Sequence, residues 1–113
     1  MDFQDAPIAV KAIDGGMHVE LLGAIHTNNE WLESELKKVL KHKPTLVELD
    51  LSKTDYVSSS GIGTLVWLRN ELVAAGGTLK VTSVHPQVFA SFRFAGLAQL
   101  FGMSPAIVHR TPA

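Results

Sequence analysis

At 113 residues, 46% of them hydrophobic, the chain suits one domain with one core. Ten basic against eleven acidic side chains leave a formal net charge of −1, so no long-range field draws the chain to nucleic acid or to an anionic membrane. Cysteine is absent, which excludes disulfides, a thiolate nucleophile and thiolate metal ligands, and fits a reducing cytosol.

The opening "MDFQDAPIAV" carries acidic residues where a signal peptide needs basic ones. No apolar run approaches the roughly 20 residues of a membrane span. The expectation is a cytoplasmic, soluble, single domain over residues 1–113, with no membrane insertion. "PIAVKAID" alternates as a strand, "DGG" (Asp14 to Gly16) signals a tight turn, and "MHVELLGAI" alternates again, so the chain should open with a hairpin. "TNNEWLESELKKVLKHK" is helical, with Leu32, Leu36, Val39 and Leu40 as its buried stripe. Thr27 and Glu30 have the spacing of a capping box, and Pro44 ends the segment.

"TLVELDL" reads as a third strand, with Val47, Leu49 and Leu51 opposite Glu48 and Asp50. "GIGTLVWLRNELVAA" is a second helix, closed by Gly76 and Gly77. Its core side is expected from Ile62, Leu65, Val66, Leu72 and Val73. "TLKVTSV" is a fourth strand, and Pro86 starts a third helix, "PQVFASFRFA". "LAQLF" reads as a turn or short helix, and "AIVHR" as a last edge strand. Every strand carries charge on its non-apolar side: Lys11, Glu20, Glu48 or Asp50, and Lys80. Parallel strands covered on both faces read instead as continuous apolar runs. The fold class expected is therefore α/β, a four- to five-stranded mixed sheet with all helices on one face, its parallel pairs joined by right-handed crossovers.

The stretch with chemical content is "YVSSSGIGTLVWL", where Ser58, Ser59 and Ser60 stand between the third strand and the second helix. Small hydroxyl residues there cap free amides. Gly61 and Gly63 follow, although glycine in a helix costs roughly 0.5–1 kcal/mol against alanine. That cost is tolerable where something approaches the backbone closely. A helix amino terminus also favours an anion, so a phosphate on one of these serines would meet favourable electrostatics. Ser60, Thr64, Trp67 and Glu71 share one stripe of the helix, which pairs a modifiable hydroxyl with an aromatic anchor for a partner.

Other chemistry finds no motif. His18, His26, His42, His85 and His109 lack metal-ligand spacing, so no metal and no cofactor is expected. "SSSGIG" has the wrong order for a nucleophile elbow, and no phosphate-binding glycine loop is present, so no catalytic residue is named and the chain does not read as an enzyme. Phe89, Phe92, Phe94 and Phe101 read as core, not as a stacking surface for nucleic acid.

The run from "LVELDLSKTDYVSSSGIG" through "AAGGTLKVTSVHP" to "FAGLAQLF", with "VELLGAIHTNNEWLESEL" before it, resembles the STAS domain of bacterial anti-sigma factor antagonists. The resemblance covers nearly the whole chain. It implies a one-sided α/β layer, the arrangement that charge alternation suggests separately. It also implies a switch serine directly before the glycine, Ser60, with Ser59 as a second candidate and Ser58, Ser59, Gly61 and Gly63 forming the switch loop. The implied partners are an anti-sigma factor that is itself a serine kinase, and a phosphatase acting on phospho-Ser60. Thr64, Trp67, Glu71 and His26 are the expected partner-binding residues. Phosphate adds about −1.5 to −2 charges to an interface built around a neutral hydroxyl, which breaks the complex and restores the anti-sigma factor.

Two positions depart from the family pattern. Ser58 stands where aspartate is usual, and His26 follows "GAI" where an acidic residue is common. Both changes make the neighbourhood of Ser60 less negative. The reading is thus an anti-sigma factor antagonist in partner-switching control of transcription. The alternatives are a STAS scaffold of a stressosome-like or transporter-associated complex, with Ser60 an unmodified cap, and a small-ligand sensor at the loops around His26 and Ser60.

Overall fold

The computed structural model describes residues 7–109. Strands β1 (Ile8–Ile13) and β2 (Gly16–Leu21) form the expected hairpin, paired antiparallel from Ile8↔Leu21 to Ile13↔Gly16. Its turn needs Gly15, whose φ of 75° lies in the left-handed region that glycine enters without strain. Gly16 is required for a different reason: a Cβ there would lie 2.0 Å from the backbone oxygen of Leu46 on the next strand. Helix α1 (Glu30–Lys41) leads to β3 (Leu46–Leu51), α2 (Ser59–Ala74) to β4 (Thr78–Val84), and α3 (Pro86–Phe94) follows.

The sheet order is β1-β2-β3-β4, with β2, β3 and β4 parallel. Both crossovers step the same way along the sheet, so right-handed connections place α1 and α2 on one face. Burial agrees. Val19, Leu21, Val47, Leu49, Leu51, Val81 and Val84 are buried with Leu32, Leu36 and Val39 of α1 and Leu65, Leu68 and Leu72 of α2. The opposite face is half-exposed, and register lines its charges into a row, Lys11↔His18↔Glu48↔Lys80. Within it His18 Nδ1 and Glu48 Oε1 lie 2.9 Å apart. A bulge interrupts β4: Leu49 pairs with Val81, but Asp50 pairs with Ser83. The extra residue, Thr82, lets two polar residues stand in succession while Val84 still reaches the core opposite Leu51.

Three expectations change and one open alternative resolves. The "AIVHR" strand reduces to one parallel bridge, Val84↔Val108, after a short 3-10 turn at Pro105–Ile107, so the sheet has four strands. "LAQLF", read as a turn or short helix, forms turns, and seats Phe101 edge-on against Phe92 at 5.1 Å between ring centres. Phe94, read as core, is 97% exposed. On α2, Leu68 takes the buried place expected for Val73. The stripe facing the sheet is Gly61, Leu65, Leu68 and Leu72, and Val73 falls outside it at 49% exposed. No helix among the described residues is long and apolar enough to cross a membrane.

Candidate functional site

Two loops meet beyond the carboxyl ends of β2 and β3. Ile25 bridges Val57 in parallel fashion: the Ile25 N–H donates to the Tyr56 carbonyl and the Ser58 N–H to the Ile25 carbonyl, both at 2.8 Å. This short ladder brings residues 26–29, ahead of α1, against the start of α2.

The three serines divide their work by position. Ser58 has an extended backbone (φ −68°, ψ 166°), which makes it the N-cap of α2, and its Oγ accepts from the Gly61 N–H at 3.1 Å. It is 4% exposed. Capping therefore belongs to Ser58, and Ser60, expected as the cap under the scaffold alternative, is not the capping residue. Ser59 and Ser60 are exposed on the first turn of α2. Gly61 is buried, and a Cβ on it would lie 2.7 Å from Ile25 Cγ2 and 2.9 Å from Val57 Cγ1. That glycine allows the two loops to close on each other. Gly63 has nothing within 4 Å of such a Cβ and is exposed. Its missing side chain leaves bare helix backbone on the surface beside Ser60.

Asn29, which sequence patterns did not single out, is the side chain that joins the two loops. It is 7% exposed and precedes α1, whose first residue is Glu30. The expected Thr27–Glu30 capping box does not form; Asn29 occupies the cap position without a side-chain cap bond, because its amide is engaged elsewhere. Nδ2 donates to the His26 carbonyl at 2.7 Å and to Ser60 Oγ at 3.0 Å, with the Thr27 carbonyl at 3.3 Å. Asn29 Oδ1 accepts from Thr64 Oγ1 at 3.4 Å. Ser60 Oγ in turn donates to the Thr27 carbonyl at 3.2 Å and lies 3.2 Å from Ser58 Oγ. The Asn28–Asn29 pair at a helix start was the signal available in sequence, since asparagine is a preferred cap residue.

Of the remaining expected residues, Thr64 and His26 touch this cluster, while Trp67 and Glu71 lie about two and three turns from Ser60 along α2. Thr64 and Trp67 are half-buried and Glu71 is exposed, in the order that helical spacing gives; Trp67 packs on the margin of the core. The exposed His26 ring lies 5.7 Å from that of Tyr56, centre to centre, and Tyr56 is among the exposed large apolar residues. Tyr56, like Asn29, escaped notice in sequence. The first turn of α2 carries no acidic residue. Among the described residues no group of three or more His, Asp or Glu side chains is placed to hold a metal ion.

Comparison with known proteins fits this arrangement. A Bordetella bronchiseptica protein named as a putative anti-sigma factor antagonist, BtrV, is 30% identical over 95 residues, spanning 83% of this chain and 82% of that one. The crystal structure of an anti-sigma factor antagonist from Mycobacterium paratuberculosis superposes with a TM-score of 0.73 at 23% identity, covering 87% of this chain and 84% of the other. The anti-sigma factor antagonist SpoIIAA in its unphosphorylated form gives 0.70 at 17% identity, covering 93% and 88%. At those identities the solved structures speak to fold alone. The model of the STAS domain matches residues 8–109, from the first strand to the bridge after α3, and the chain belongs to the STAS domain family.

Proposed function

We propose that this protein is a bacterial, cytoplasmic anti-sigma factor antagonist whose binding is switched by phosphorylation of Ser60. The domain is a binding regulator and a kinase substrate, with no chemistry of its own. Unmodified, it engages an anti-sigma factor that is also a serine kinase, through the surface formed by Ser60, bare backbone at Gly63, Thr64, Trp67, Glu71 and the His26–Tyr56 pair. Phosphate at Ser60 places about −1.5 to −2 charges in that surface and ends the complex; a phosphatase restores it.

The observation that carries the reading is the exposed residue Ser60 on the first turn of α2, with Ser58 performing the capping. A helix amino terminus tolerates the added anion. The missing carboxylate at position 58 and His26 in place of an acidic residue fit a pocket that accepts phosphate readily. Support for the partner class comes from BtrV, the relative at 30% identity.

Intact-mass measurement after incubation with the cognate serine kinase and ATP tests it. A single phosphate gain is expected, kept in Ser59→Ala and lost in Ser60→Ala. No gain, or a gain that survives Ser60→Ala and vanishes in Ser59→Ala, removes Ser60 as the switch.

A further inference from the structure

Hydrogen-bond chemistry fixes the direction of every bond around Ser60 Oγ. Asn29 Nδ2 faces two carbonyl oxygens, those of His26 at 2.7 Å and Thr27 at 3.3 Å. A side-chain oxygen could not sit there, so the amide orientation is set and Ser60 Oγ must accept from Nδ2. The Thr27 carbonyl can only accept, so the Ser60 proton points to it. With its single proton given to Thr27, Ser60 Oγ can meet Ser58 Oγ only as the acceptor. The Ser60 hydroxyl thus gives one hydrogen bond and receives two, which is its full capacity. Two of the three ties run to residues 27 and 29, more than thirty positions away in sequence and on a different loop.

Phosphoryl transfer changes that balance. A bond forms between Ser60 Oγ and the γ-phosphorus of a nucleoside triphosphate held by the kinase. The bond from that phosphorus to its bridging oxygen breaks, the nucleoside diphosphate leaves, and the hydroxyl proton passes to a base on the kinase. The ester oxygen has no proton, so the Thr27 carbonyl loses the bond from Ser60. The new charge of about −1.5 to −2 is repelled by the carbonyl dipoles of His26 and Thr27. The Asn29 amide, by contrast, presents N–H groups and is attracted to it.

We propose that Asn29 is the positioning residue of Ser60: its amide orients the unmodified hydroxyl, donates to the phosphate after modification, and so makes the loop between β2 and α1 respond to the state of that oxygen. The proposal rests on the Ser60 switch. It extends the switch surface from the serine loop to His26, whose backbone carbonyl Asn29 also holds.

The test places phosphoserine at position 60 by codon reassignment during expression, so no kinase is needed. Phosphorus NMR follows the second ionisation of the phosphate. A donor to the dianion lowers that pKa, so Asn29→Ala should raise it by about half a unit. Asn29→Asp, which removes the donor and adds a like charge, should raise it further. In the wild type, proton–nitrogen spectra with and without the phosphate should show the Asn29 side-chain amide signals displaced, while those of the exposed Asn70 stay in place. The same phosphate pKa in wild type and variants overturns the proposal. So do unmoved Asn29 signals, a comparison that requires no variant to fold. Failure of the switch itself would appear elsewhere, as a kinase that leaves Ser60 unmodified while the coupling to Asn29 stays intact.

Discussion

Gly61 and Gly63 stand two positions apart in α2 and are glycine for opposite reasons. At Gly61 a methyl group would press on Ile25 and Val57, which hold the two loops together. Gly61→Ala is expected to destabilise the fold by about 1–3 kcal/mol, the usual cost of overpacking, measured by urea denaturation. At Gly63 a methyl group meets nothing. Gly63→Ala should raise stability by roughly 0.5–1 kcal/mol through better helix propensity, yet weaken binding to the anti-sigma factor, read by titration calorimetry. Gain of stability with undiminished affinity would show that no partner approaches that backbone. The serines separate similarly. Ser58→Ala removes the cap and should cost about 1 kcal/mol. These roles were partly legible in sequence: a serine run before glycines marks a helix start. Which serine caps was not, because that depends on where the backbone turns extended, at Ser58. The link from Asn29 to Ser60 was illegible for a plainer reason, since it joins residues 31 apart and follows from the Ile25–Val57 bridge.

Helix α3 shows at the scale of an element how little a short apolar run says about its own orientation. Its sequence "PQVFASFRF" has three phenylalanines, and composition alone assigns them to the core. Residues two apart on a helix point about 200° away from each other. Phe92 and Phe94 therefore cannot share a face: Phe92 is fully buried against Phe101, and Phe94 stands in solvent. Phe92→Ala should cost about 3–5 kcal/mol. Phe94→Ala should stay within about 0.5 kcal/mol. Equal losses in thermal or urea unfolding would mean that Phe94 is covered. In α1 the same periodicity served well, with Leu32, Leu36 and Val39 all buried, but the start was read three residues early. The Thr27–Glu30 spacing suggested a cap, whereas the Thr27 carbonyl accepts from Ser60 instead.

For the whole molecule, charge alternation along the strands identified the one-sided layer, because each strand kept a polar side that a covered sheet would not tolerate. The row Lys11–His18–Glu48–Lys80 keeps the open face wet. Replacing Glu48 and Lys80 together by valine should change stability by no more than about 1 kcal/mol, since the Glu48–His18 contact is half-exposed and Lys80 is exposed. It should also create an apolar strip that associates, seen as earlier elution than wild type on size exclusion at rising concentration. Unchanged elution would deny the row that role. Topology has a further practical result. Ile8 pairs with Leu21, and the His109 N–H donates to the Val84 carbonyl, so both Pro7 and His109 sit at the pole of the sheet that carries Ser60. A bulky group attached at Pro7 or His109 would therefore stand at the same pole as the proposed docking surface, and should lower affinity for the anti-sigma factor more than one attached at the far pole. The far pole, where Thr45 Oγ1 donates to the Gly15 carbonyl at 2.6 Å, is the neutral place for a tether. In a chain without cysteine, a thiol introduced by Lys41→Cys would give that attachment point a unique handle.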